Sequence, residues 1–126
     1  MTRSGATTKL RRICLALPEA VEKVFGGHTT PTYRVCDKIF VMQPDGDRPA
    51  FWCKAPPGAQ RILVGSDPDR FFSPRYVGPK GWIGMYLHKP VDWGFVEDLV
   101  LDSYRMTAPK RLLAQLPSDE RWTARR

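Results

Sequence analysis

The stretch "KIFVMQPDGDRPAFWCK", residues 38–54, constrains the fold more than any other part of the chain. Two runs rich in β-branched and aromatic residues flank a short polar link, and Asp45-Gly46 within it is a strong hairpin signal. A link this short cannot carry the chain around for a parallel crossover, so the two runs must pair antiparallel. "TPTYRV" (30–35) comes before them across the polar turn Cys36-Asp37, and "AVEKVF" (20–25) before that across Gly26-Gly27. Together they predict an antiparallel meander. Strand alternation puts Phe51 and Cys53 on one face of it, with Trp52 and Lys54 on the other.

Helical spacing brackets this region. Leu10, Ile13, Cys14 and Leu17 recur at i, i+3, i+4 and i+7, with Thr7 or Thr8 as the expected cap and Pro18 as the stop. Residues 1–6 read as loose. Pro56-Pro57 opens a short helix with Ala59, Ile62 and Leu63 inward and Gly65 at its close. Residues 66–81 are turn-rich and read as irregular. "WIGMYL" (82–87) reads as a further strand, with Ile83 and Met85 on one face and Trp82, Gly84 and Tyr86 on the other. Gly84 leaves room there for something to approach. After Pro90, Asp92 is the expected N-cap of a helix whose stripe is Trp93, Val96, Leu99, Val100 and Tyr104. Pro109 breaks it, "PKRLLAQL" adds a last turn or two, and residues 117–126 read as a polar tail. Helices gathered on one face of an antiparallel sheet make a two-layer α+β domain. With no internal repeat and no long linker, residues 1–126 read as a single domain with its core at about 8–116.

The net charge of +7 is unevenly spread. Residues 1–12 carry Arg3, Lys9, Arg11 and Arg12 and no acid, while residues 105–126 carry six basic side chains against Asp119 and Glu120. The body between them holds ten basic and eleven acidic residues and is close to neutral. The ends therefore attract polyanions, but the whole fold has no cationic face on this count.

Cys14, Cys36 and Cys53 are odd in number and far apart, which excludes a disulfide framework or a zinc motif; Cys14 reads as a small buried hydrophobe. Reduced thiols, together with the lack of an apolar leader or membrane-length run, give a cytoplasmic protein off the membrane as the expectation. No nucleophile, phosphate-loop, dinucleotide or zinc-protease motif occurs, and neither His28 nor His88 has a local partner. Asp45, Asp47, Asp67 and Asp69 are turn residues. The expectation is a protein that is not an enzyme, with no metal site and no cofactor.

A nucleic-acid partner fits better. Arg34, Lys38, Lys54, Arg75 and Lys80 recur in or beside the β region, interleaved with Tyr33, Trp52, Tyr76 and Trp82. Cations neutralise phosphate, and exposed aromatics stack on bases. The turns at 44–48 and 78–81 could act as wings. A second reading is a protein-interaction or small-ligand module whose sheet groove lies near Trp82 and Tyr76.

Four ordered segments, "CLALPEAVEK" (14–23), "PTYRVCDKIFVM" (31–42), "DPDRFFSPRYVGPKGWIGMYL" (67–87) and "DWGFVEDLVLDSYRMTAPKRL" (92–112), resemble the MmcQ/YjbR proteins. The resemblance implies a CyaY-like α/β fold and DNA binding through paired hairpin wings, with no catalytic residues. On matching positions it points to Thr32, Arg34, Lys38, Lys54, Arg75, Lys80, Trp82, Lys110 and Arg111. The sequence departs from the family pattern at Gly26-Gly27-His28 and at Cys36-Asp37, where glycines are usual. DNA of low sequence specificity is the expected partner, and the oligomeric state stays open.

Overall fold

Antiparallel pairing runs through every strand of the computed structural model, which describes residues 5–24, 30–44, 48–88 and 90–116. Strands β1 (Val21–Val24), β2 (Pro31–Val35), β3 (Lys38–Met42) and β4 (Ala50–Cys53) form the expected meander. The order across the sheet is β1-β2-β3-β4-β6-β5, so β6 (Ile83–Tyr86) and not β5 (Phe71–Phe72) lies beside β4. Helix α2 (Ala59–Ser66) carries the chain past that gap and packs on β5 at the edge, and β6 then returns into it. The two-residue β5 is too short to show a period, which is why residues 66–81 read as irregular.

Register explains the core. Glu22, Tyr33, Val41, Cys53 and Ile83 are successive partners across five strands, and the last four are wholly buried. Helices α1 (Gly5–Leu15) and α3 (Trp93–Thr107) add Leu10, Cys14, Val96, Leu99, Val100 and Tyr104 to the same core. The Tyr104 ring stands edge-on to Phe40 with centroids 5.4 Å apart. Arg11 of α1 bonds Glu22 at 2.9 Å, which ties the first helix to the edge strand. Asp92 caps α3 by accepting from the Phe95 N–H at 3.2 Å, as its position before the stripe predicts.

Three local expectations change. The first helix begins at Gly5, so Thr7 is not its cap; Thr7, Leu10 and Cys14 are spaced i, i+3 and i+7 and form one buried stripe. Ile62 is 70% exposed, because Gln60 takes the inward position and residues two apart on a helix point to opposite sides. Gly65 lies within α2, which ends one residue later.

On the other face, Lys23, Thr32, Met42, Trp52, Gly84 and Phe72 are successive partners across all six strands. The room beside Gly84 is already taken: a Cβ there would lie 2.3 Å from two ring carbons of Phe72. What approaches Gly84 is the chain's own edge strand.

Candidate nucleic-acid interface at one end of the sheet

Antiparallel register collects cations from distant parts of the chain. Val35 pairs with Lys38, and Cys53, the last residue of β4, pairs with Ile83, the first of β6. Phe72, the last residue of β5, pairs with Gly84 nearby. The turn 36–37, Lys38, Lys54 and the loop 73–82 therefore stand at one end of the sheet. Arg111, at the second position of α4 (Lys110–Leu113), reaches the same end, with a guanidinium nitrogen 3.7 Å from Cys36 Sγ. Arg34, Lys38, Lys54, Arg75, Lys80, Trp82, Lys110 and Arg111 all belong to elements that meet there.

Of the two expected wings, only the 78–81 turn lies wholly within the described residues. Residues 45–47, the centre of the 44–48 tip, lie outside the described residues, as do Gly26, Gly27 and His28. Met42 and Ala50, the strand ends that flank the tip, are at the far end of β3 and β4 from Lys80. Because β4 and β6 run antiparallel, Ala50 and Ile83, the strand starts that follow the two turns, lie at opposite ends of the sheet.

The cations at this end fall into two groups. Arg34 has a side chain only 15% exposed, bonds Thr32 Oγ1 at 3.1 Å and pairs with Asp37 at 3.5 Å. Asp37 also pairs with Lys23 at 3.5 Å. Cys36 and Asp37 both take positive φ, 49° and 64°, as a two-residue antiparallel hairpin with right-handed strand twist demands, and they do so without the usual glycine. Arg111 donates two bonds to the Glu19 carboxylate, at 3.0 and 3.2 Å, and this holds the Glu19 carboxyl below its ordinary range. Arg34 and Arg111 are thus already neutralised. Lys38, Lys54, Arg75, Lys80 and Lys110 make no ion pair with any carboxylate among the described residues.

A bulge lies beside Lys38 and Lys54. Tyr33 pairs with Val41 but Arg34 with Ile39, so Phe40 is an extra residue on β3 and the strand bends there. Pairing of β3 with β4 reaches no further than Val41 and Cys53. Ser103 of α3 bridges the opening: its hydroxyl donates to the Phe40 carbonyl at 2.5 Å and accepts from the Lys54 N–H at 2.9 Å. Burial, and after it the charge of Lys38, push the Lys54 ammonium below its ordinary pKa. Two lysines at one sheet end with no ion pair to a carboxylate among the described residues favour the arrival of an anion.

The loop 73–82 is held from within. The Gln60 carboxamide donates to the Gly78 carbonyl at 2.8 Å and to the Trp82 carbonyl at 2.5 Å. Trp82 itself is 8% exposed, so its ring braces the loop and is not open to a base. Tyr33 is wholly buried and Trp52 half-buried, whereas Tyr76 is 81% exposed. Trp82 and Tyr76 thus differ in exposure, one ring packed into the loop and the other turned to solvent. The apolar groove that Ile13, Leu17, Val100, Leu101, Arg105 and Leu116 help to line, about 220 Å³, lies between the helices. Gln60 and Ser103 carry no sequence signal, since each acts on carbonyls that only the fold brings near it.

Among the described residues no helix is long and apolar enough to cross a membrane, and no group of three acidic, His or Cys side chains could hold a metal ion. Cys14, Cys36 and Cys53 are free thiols, and burial pushes the pKa values of Cys14 and Cys53 upward.

No curated protein matches the chain. Its structure is similar to the crystal structure of Deinococcus radiodurans protein DR2400, a DUF419 domain, with a TM-score of 0.76 at 20% identity over 91% of this chain and 92% of that one. At that identity the likeness shows the shared α+β fold. The model of the YjbR family matches residues 15–106, from the end of α1 to the last turn of α3. With most of its length matched, including every strand, the chain belongs to the YjbR family.

Proposed function

We propose that this protein binds DNA through its backbone phosphates at the sheet end built by Lys38, Lys54 and the loop 73–82, with low sequence specificity and without catalysis. The observation that carries the reading is that Lys38 and Lys54 stand at one end of the sheet with no ion pair to a carboxylate among the described residues, while burial, and after it the charge of Lys38, disfavour the Lys54 ammonium. A phosphate at this point relieves the repulsion and replaces water around an ammonium that is already partly desolvated. Arg75, Lys80 and Lys110, exposed and without acidic partners among the described residues, extend the same charge. Phosphate contacts of this kind fix position on a duplex and carry no base information, hence the low specificity.

The test is a salt titration of binding to a short duplex. Affinity is expected to fall steeply with added salt, and Lys80→Ala or Lys54→Gln to reduce the log–log slope by about one each. An affinity that is flat between low and physiological salt, or slopes unchanged in both variants, would sink the reading.

A further inference from the structure

Tyr76 occupies a backbone position that burial of its own ring gives no reason to keep. Its φ is +69°, a left-handed value that a bulky aromatic residue rarely takes. The Val77 N–H bonds the Arg75 carbonyl at 2.7 Å across it. An i to i+2 hydrogen bond around a positive-φ residue is the γ-turn of the rare, strained hand. Strain of this kind persists only where the surroundings over-determine it.

The surroundings here do so. The Gly78 N–H bonds the Pro74 carbonyl at 2.8 Å, Lys80 N–H bonds Val77 at 3.0 Å, and Gly81 N–H bonds Gly78 at 2.9 Å. Gly78 lies so close to Ser73 that a Cβ on it would meet the Ser73 hydroxyl at 2.3 Å, and Gln60 clamps the far side of the loop. A rigid frame thus holds one strained residue, yet the ring it presents is 81% exposed. Burial cannot explain the arrangement. Arg75 adjoins the ring in sequence and Lys80 follows four residues later, both exposed and without ion pairs among the described residues.

We infer that Tyr76 is a stacking platform for an unpaired nucleic-acid base, with Arg75 and Lys80 holding the phosphates on either side. The inference rests on the phosphate-binding reading above and narrows its ligand. Bases inside a duplex already have both faces stacked, so a single presented ring gains most from a base that is free on one face. The preferred ligand is therefore single-stranded DNA or a duplex with an overhang, ahead of a blunt duplex of equal charge. Phosphate attraction alone would favour the denser charge of the duplex.

The experiment measures binding of the full chain to a single-stranded oligonucleotide, an overhang duplex and a blunt duplex, each carrying 2-aminopurine at one site. Expected are tighter binding to the first two, with quenching of the probe, and a loss of about tenfold for Tyr76→Ala on those ligands alone. Tyr76→Phe keeps the ring and should bind as the unaltered protein does. Tyr76→Gly, which suits the positive φ, should fold at least as well as the parent and still lose the tenfold. Equal binding by Tyr76→Ala, or a preference for blunt duplex without quenching, overturns the stacking role. If Lys54→Gln still weakens binding in that case, the phosphate reading stands alone. No binding to any of the three ligands overturns both.

Discussion

The ring of Phe72 on the edge strand β5 lies against the bare Cα of its cross-strand partner Gly84 on β6, two ring carbons at 2.3 Å from where a Cβ would be. The same ring stacks at 4.6 Å on Tyr86, two residues along β6, which also meets the Arg48 guanidinium at 4.0 Å from its ring centre and His88 edge-on at 5.6 Å. Gly84→Ala should therefore cost about 1–3 kcal/mol through overpacking, despite the better strand propensity of alanine. Denaturant midpoints would measure this, and Phe72→Leu in the same chain should recover part of the loss. A neutral Gly84→Ala would mean that the edge strand yields freely.

Ser103→Ala removes the bridge between β3 and β4 at the bulge. The Phe40 carbonyl and the Lys54 N–H then both lose a partner in a place the sheet cannot supply one. The expected cost is about 1–3 kcal/mol, as for a buried polar group left unsatisfied. Ser103→Thr keeps the hydroxyl and should cost less in the same denaturation series.

The Lys54 ammonium is held below its ordinary pKa by burial and by Lys38. The unfolded chain then binds more protons than the folded one between the two values, so stability rises as pH climbs through that alkaline window. Lys38→Gln removes the repulsion and should raise the Lys54 pKa, which a carbon-detected NMR titration of the lysine side chain reads directly. An unmoved value would separate the two lysines. A bound phosphate favours the charged form, so DNA affinity should decline once pH passes the pKa of free Lys54.

Glu19 neutralises Arg111 through two hydrogen bonds at the same end of the sheet. Glu19→Gln should free that guanidinium, tighten DNA binding at low salt and steepen the salt dependence by about one. If the slope is unchanged, Arg111 stands outside the contacted surface.

Much of the architecture was legible in local spacing. The stripe of α3, its Asp92 cap, the alternation of β4 and the faces of "WIGMYL" all follow from periods of 3.6 and 2, which neighbouring residues set among themselves. A negative signal in the spacing was equally informative: residues 38–54 allow no parallel crossover. The cations of the candidate interface could be named from the sequence for the same reason, since they punctuate strand ends and turns.

The tertiary structure decided which of those cations are free and what the glycines are for. Arg111 finds Glu19 from 92 positions away, and α3 lends Ser103 to the gap that the Phe40 bulge leaves beside Lys54. Trp82 and Tyr76 look alike in sequence but end at 8% and 81% exposure, because Gln60 anchors one end of the loop while a γ-turn lifts the other. The placement of β6 between β4 and β5 has the same origin. Periodicity tells a residue which way to point within its own element. Charge compensation, burial and strand order depend on partners that only chain closure brings within reach.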